Sequence, residues 1–465
     1  MTSGRDGRQE PRRDPNTRRR DVTPRRSPHD DTTGVRKVRP GGKSSGSSGQ
    51  IFDHKVDADD EDFIESPNVL GQSGRPPEPE ERSDSNRTRV VPQLIRWVSF
   101  DVPTDDFTHR RDDSAKFGAQ LVDPIFGSGG RKTWRDARNS GLVAHGLQCP
   151  TTVGNCEDSP PLFITPLIQS TDSTYLGVFD GMGGAGAGRV EFPLSNKGSI
   201  SSTEALLASR ICRRAVTRWI VEDPRPPQPN HLKSMIVGRL QSAMKDTSLS
   251  EGSRIRGTLT KRLPTTLVLS QVQPVDSAST SRIITWWAGD SRAFLVTPEH
   301  GLAAITRDHV RGSDQLDQLR SDPPIENVVN QSTDFYLDET IKEVSGPFVL
   351  LLATDGVFGY LPTPGLLELG LLEALSNKSH EVANKFADFC TTYAADDVSA
   401  VMVVSGFRDD QDVADSFRSR LATLRNQYSQ ILTMTSDDPN WNVEVERLWG
   451  LERPTYQRLL GASND

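Results

Sequence analysis

Cysteine is scarce in this chain. Its 465 residues hold four, Cys149, Cys156, Cys212 and Cys390, and no two form a CxxC pair. Scattered thiols argue against a zinc site or a disulfide framework and fit a reducing interior. Long apolar runs are missing too. The longest, Phe348–Ala353, is far below the roughly 20 residues that cross a bilayer, so no membrane span is expected. No apolar stretch follows Met1, so no secretory signal is expected either, and the cytoplasm is the expected location. The hydrophobic fraction, 34%, is low for a globular chain, and the deficit is uneven. Residues 1–90 have almost no apolar periodicity, whereas 140–407 carry many apolar segments. One sizeable core beside a poorly folding arm is the expectation.

The arm is divided by charge. Residues 5–43 are rich in arginine (Arg12, Arg13, Arg18, Arg19, Arg20, Arg25, Arg26), and residues 52–82 are acidic (Asp57, Asp59, Asp60, Glu61, Asp62). Pro, Gly, Ser and charged residues dominate, which is the composition of a disordered, solvated tail. Residues 1–50 could also dock on an anionic partner surface. The arginines lack interleaved aromatics and an acidic stretch follows them, which argues against nucleic acid as the partner. The net charge of −8 favours solubility and names no partner.

Beyond Val90 the periods change along the chain. Strands are expected at 142–147, 174–179, 265–272, 282–288, 293–296, 302–306, 348–353 and 398–404, from short β-rich runs bounded by turn residues. Helical spacing covers 202–220, 231–245, 366–375 and 380–393. Strands and helices come in runs rather than strict alternation, which favours an α+β layered fold. Past residue 407, spacing over 414–434 (Phe417, Leu421, Leu424, Tyr428) and aromatic anchors over 441–459 indicate a helical C-terminal extension, 408–465. It either packs on the preceding domain or presents a surface to a partner. Residues 191–202 read as an inserted loop, and 310–347 as a variable flap.

Carboxylates recur at the ends of the expected strands. Asp180 follows Tyr175–Phe179 and precedes Gly181-Met182-Gly183-Gly184. Asp290 lies in Gly289-Asp290-Ser291-Arg292, Asp355 precedes Gly356, and Asp396-Asp397 introduces the last strand. Each strand could deliver its carboxylate to one sheet edge, where hard divalent cations such as Mg²⁺ and Mn²⁺ would find oxygen ligands. Singly these signals are weak. An Asp-Gly pair is commonly a turn, Asp290 could pair with Arg292, and Asp396 could cap a turn.

Their joint order is more specific. Asp180-Gly-Met-Gly-Gly, Gly289-Asp-Ser-Arg, Thr354-Asp-Gly and Asp396-Asp-Val-Ser resemble four signature blocks of the PPM/PP2C metal-dependent protein phosphatases, and Asn155-Cys-Glu-Asp resembles in part a fifth. The resemblance spans residues 140–407, and Met182 in the glycine-rich block is similar to bacterial members. It implies a four-layer αββα sandwich, two antiparallel sheets flanked by helices, as a phosphatase domain over 91–407. It implies two Mg²⁺ or Mn²⁺ ions with a third, weaker site. Asp180 would bridge the two metals, the Gly181 carbonyl would bind one, and Asp355 and Asp396 would complete the second. Glu157 and Asp158 would lie in the outer ligand shell, and Asp290 would help the third ion. The implied reaction is hydrolysis of phosphoserine and phosphothreonine in protein substrates by a metal-bridging hydroxide.

The sequence also departs from the family pattern. Where many members carry a phosphate-holding arginine it has Val153, with Arg131 and Arg189 as substitutes to weigh. Where animal members have a histidine it has Met182, which holds no proton to donate. Asp397 replaces the usual Asn and is expected to face solvent. A catalytically inactive, PPM-like regulatory or binding module is the alternative.

Overall fold

The computed structural model describes residues 130–139, 142–152, 156–165, 173–193, 199–222, 228–246, 248–249, 262–275, 279–311 and 324–460. The arm expected over 1–90 and the substituted position Val153 lie outside them.

Two antiparallel sheets form the centre. The larger runs in the order β1 (Lys132–Asn139), β2 (Leu142–Cys149), β14 (Val398–Ser405), β13 (Phe348–Ala353), β10 (Arg292–Thr297), β11 (Gly301–Ala304). The smaller runs β12 (Asp338–Ser345), β9 (Thr280–Ala288), β8 (Leu267–Pro274), β4 (Thr174–Val178), β3 (Leu162–Ile164).

The strand period of two sorts each strand's side chains into separate cores. In β13, Phe348, Leu350 and Leu352 point between the sheets, where they meet Leu176, Val178 and Val268. The alternate residues Val349, Leu351 and Ala353 join a second core under helices. That helical layer is α4 (Pro364–Leu375), α5 (Ser379–Tyr393), α6 (Asp410–Tyr428) and α7 (Trp441–Gln457). On the other side, Leu267, Leu269 and Trp286 of the smaller sheet pack with α1 (Glu204–Glu222) and α2 (Pro229–Asp246). The protein is therefore an α+β sandwich of two antiparallel sheets flanked by helices.

Both faces of β13 and β14 are covered, which is why β13 reads as an unbroken apolar run and β14 as a nearly continuous one. The helices α6 and α7 contribute Phe417, Leu421, Leu424, Leu448 and Trp449 to the same core as β13. One expectation needs correction. The segment 191–202 reads in sequence as an inserted loop, but its two described ends are paired strands, β5 (Arg189–Pro193) and β6 (Ser199–Thr203), with β7 (Ser248–Leu249) paired to β5; residues 194–198 lie outside the described residues. The polar side chains of that stretch hid its strand character.

Among the described residues, no helix is long and apolar enough to cross a membrane.

Candidate metal centre

The carboxylates expected from sequence gather at one edge of the sandwich, where several strands begin or end. Asp180 leaves β4, and its backbone is tied to the start of β8. The Thr266 amide donates to the Asp180 carbonyl (2.9 Å), as does Thr265 Oγ1 (2.6 Å). The Asp180 amide donates to Thr266 Oγ1 (3.2 Å), and that hydroxyl shares a 2.6 Å hydrogen bond with Ser291 Oγ. The turn carrying Asp180 is thereby joined to the turn carrying Asp290.

Asp355 opens the short helix α3 (Asp355–Phe358) at the end of β13. The preceding Thr354 is buried, and its hydroxyl donates to Asp158 Oδ2 (3.0 Å) while accepting from the Ser399 amide (3.0 Å). Asp158 is 1% exposed, and Gln148 Nε2 holds its carbonyl at 2.9 Å.

Glu157 is fixed from below and beside. Ser209 Oγ (2.6 Å) and Arg210 Nη1 (3.3 Å) donate to its carbonyl, Arg210 Nη2 donates to the Cys156 carbonyl (3.0 Å), and Thr203 Oγ1 donates to its carboxylate (2.8 Å). The glycine-rich turn lies against it. A Cβ on Gly181 would stand 2.5 Å from the Glu157 carbonyl oxygen, and one on Gly183 would stand 2.2 Å from Glu157 Oε2. A larger residue at 181 would push these segments apart, because the obstacle is backbone, whereas one at 183 would displace the Glu157 carboxylate.

Burial and mutual repulsion both act on this set. Asp180 has its carboxyl pKa raised well above the usual range, first by burial and then by Asp158, Asp355, Asp290 and Asp396. Asp158 is raised by burial and Asp397, and Asp290 by burial and Asp355. Glu157 is raised by burial, with the Thr203 hydrogen bond opposing. Like charges in one buried place disfavour ionisation unless a cation offsets them.

Among the described residues, no three His, Cys, Asp or Glu side chains make a group that could hold a metal ion as they stand. The donors nevertheless fit Mg²⁺ or Mn²⁺ in kind, being hard oxygens throughout. Asp290 Oδ1 is buried without a hydrogen-bond partner, a lone pair open to a cation.

Several expectations are resolved differently. Asp290 does not pair with Arg292, whose Nε and Nη2 instead donate to the two oxygens of Asp308 (2.8 and 2.6 Å). Asp397 does not face solvent. It is 7% exposed and accepts from the Thr151 amide (2.7 Å), Thr151 Oγ1 (2.6 Å) and the Glu157 amide (2.7 Å), while Asp396 beside it is exposed. Arg131 is occupied on α5, donating to Asp388 Oδ1 (2.5 Å) and the Asn384 carbonyl. Arg189 is exposed on β5, with a 3.5 Å contact to Ser201 Oγ.

Sequence reasoning missed the residues that hold the carboxylates: Thr203, Ser209, Arg210, Thr265, Thr266 and Thr354. Hydroxyl residues immediately before a strand or after an acidic turn were the available signal. His309 was missed as well. It receives hydrogen bonds on Nδ1 from the Gly289 amide (3.2 Å) and Asn327 Nδ2 (2.9 Å), so Nε2 carries the proton and donates to Asp338 (3.0 Å). Both ring nitrogens are occupied behind the Asp290 turn. A cavity of about 210 Å³, lined by Leu142, His145, Val404 and Asp410 among others, opens at the far end of β14 and includes none of the predicted ligands.

Comparison with solved structures finds a bacterial serine phosphatase (14% identity, 59% of this chain and 97% of that chain, TM-score 0.38). It also finds the Mycobacterium tuberculosis serine/threonine phosphatase PstP/Ppp (16%, 57% and 99%, 0.37) and the Staphylococcus aureus serine/threonine phosphatase Stp1 (14%, 60% and 96%, 0.38). No protein-family model matches the chain, and no curated protein does. Likenesses this distant decide nothing about chemistry, so the functional reading rests on the residues.

Proposed function

We propose that this protein is a metal-dependent phosphatase of the PPM/PP2C type, acting on phosphoserine and phosphothreonine in proteins. The observation that carries the reading is the gathering of Asp158, Asp180, Asp290, Asp355 and Asp396 from five separate segments into one mutually repelling, partly buried cluster. Such a cluster has little structural use without cations. Asp180, the Gly181 carbonyl, Asp355 and Asp396 would hold two Mg²⁺ or Mn²⁺ ions, with Glu157 and Asp158 beside them and Asp290 serving a third, weaker site. When bound, the ions supply positive charge for the phosphoryl oxygens and acidify a water for in-line attack.

The chain's own residues set the conditions for that chemistry. The Thr265 and Thr266 hydrogen bonds hold the Asp180 backbone in place. Gly181 and Gly183 allow the turn to lie against Glu157. Thr354 keeps Asp158 aimed at the cluster. A cysteine route is disfavoured by the thiols themselves: burial raises Cys149 to about 11 and pushes Cys156 and Cys212 up as well, which suppresses the thiolate. Met182 has no proton to give the leaving alkoxide, and His309 is engaged on both nitrogens, so neither is the general acid.

The inactive-module reading draws on one observation, the lack of a closed metal-holding group among the described residues. Phosphate release from a phosphothreonine peptide separates the two. We expect Mn²⁺-dependent turnover that excess chelator abolishes. Asp180→Asn should lower it by roughly 100-fold or more, since even outer partners of metal ligands are worth about 10–100-fold. Turnover that persists in chelator would refute the phosphatase reading, and absence of turnover with Mn²⁺ would favour the inactive module.

A further inference from the structure

The guanidinium of Arg292 ties together four segments distant in sequence. Arg292 begins β10, immediately after Gly289-Asp290-Ser291, and is 4% exposed. Its Nε and Nη2 are spent on Asp308, in the segment that follows β11. Its flat face lies 4.4 Å from the ring centroid of Phe358, the last residue of α3. The remaining nitrogen, Nη1, donates to the Tyr456 hydroxyl at 3.0 Å, and Tyr456 comes from α7, near the end of the chain.

The ring of Tyr456 is itself clamped, 5.6 Å from Trp449 and 6.4 Å from Phe294, and Phe294 packs edge-on against Phe358 at 5.6 Å. Tyr456 and Phe358 are 3% and 4% exposed. A buried guanidinium fixes the plane and direction of every acceptor it bonds. Arg292 therefore holds the Asp290 turn by its backbone and the Asp355 helix by its face. Tyr456 occupies the one guanidinium nitrogen that Asp308 leaves over. Without that hydroxyl Nη1 is stranded in a dry pocket, a costly state for a charged donor, and the arginine must tilt to find water.

We infer that α7 is a brace for the cation site, and that Tyr456 is a positioning residue setting the separation of the Asp290 and Asp355 carboxylates through Arg292 and Phe358. This rests on the phosphatase reading above. The C-terminal helix thereby acquires a role in cation affinity although it contributes no ligand.

The test is calorimetric titration of the full chain with Mn²⁺, with thermal unfolding in chelator measured on the same samples. Tyr456→Phe keeps the ring and removes the hydroxyl. We expect Mn²⁺ affinity to fall about 3- to 10-fold, less than the roughly 10–100-fold cost of losing a group bonded directly to a metal ligand. Tyr428→Phe is the control. It removes another buried hydroxyl of the extension, bonded to Glu452 and Thr363 rather than to Arg292, and should leave Mn²⁺ affinity unchanged whatever it does to the melting temperature. Unaltered affinity in Tyr456→Phe would overturn the brace and leave the phosphatase reading standing, as would an equal loss in both variants, which marks plain destabilisation. If the unmutated chain binds no Mn²⁺, the phosphatase reading falls and takes the brace with it.

Discussion

Asp396 and Asp397 are neighbours in sequence and opposites in environment. Asp396 is exposed and accepts the Asp397 amide at 2.8 Å, while Asp397 turns inward and anchors the loop that delivers Glu157. Composition could not distinguish them. Two adjacent carboxylates before a strand differ only in which side they leave, and that depends on where Thr151 and Glu157 place their donors. Asp397→Ala should lower stability by about 2–5 kcal/mol in urea unfolding, because three donors lose a charged acceptor in a buried place. Asp397→Asn should cost less. Gly356 carries a sharper constraint, since a Cβ there would stand 1.9 Å from the Asp397 carbonyl oxygen. The obstacle is backbone, so Gly356→Ala should cost more than the roughly 1–3 kcal/mol of ordinary overpacking. The sequence marked the Asp-Gly pairs; the reason Gly356 is needed lies in the distant segment just before β14 and could not be read from it.

At the level of elements, the legible strands were the longer apolar runs bounded by turn residues. Phe348–Ala353 is found as expected, and Val398–Ser405 extends the expected 398–404 by one residue. The helices at 204–222, 229–246, 364–375 and 379–393 likewise begin or end within a few residues of their spacing patterns. What was missed is short or polar: the three residues of β3, Leu162–Ile164, are buried and apolar but too few to show a period. Strand β12 reads Asp-Glu-Thr-Ile-Lys-Glu-Val-Ser and alternates half-buried and exposed positions at the sheet edge, so charged residues suffice along most of it. The β5–β6 hairpin was hidden by serines for the same reason. A central strand should be far less forgiving. Leu350→Ala empties space between the two sheets, and a loss of about 2–5 kcal/mol is expected. A change below about 1 kcal/mol in chemical denaturation would contradict the four-layer packing.

For the molecule as a whole, acid sensitivity should carry a specific histidine contribution. His145 lies on β2 beneath the helical layer and is 2% exposed. Burial, helped by Arg135 and opposed by Asp410, lowers its pKa from 6.5 to about 4. The folded protein thus keeps it neutral while the unfolded chain takes up a proton below 6.5. Its contribution is fully present above pH 6.5 and is lost as pH falls toward 4, to a total of about 3 kcal/mol at roughly 1.4 kcal/mol per unit. His145→Leu should flatten the stability profile between pH 4 and 6.5 relative to the unmutated chain; parallel profiles would refute this. The carboxylate cluster at the other end of the same sheet was legible as four motifs in order, because each acidic residue stands beside a turn or glycine at the end of an apolar run. The partners that orient it were not, because any hydroxyl near the right backbone could serve. Its meaning is best tested by diffraction from crystals soaked in Mn²⁺, with data collected at the manganese absorption edge. Anomalous peaks are expected about 2.0–2.3 Å from carboxylate oxygens of Asp180, shared with Asp355 and Asp396. At saturating Mn²⁺, peaks found only elsewhere, or no peak at all, would contradict the metal-centred reading of this protein.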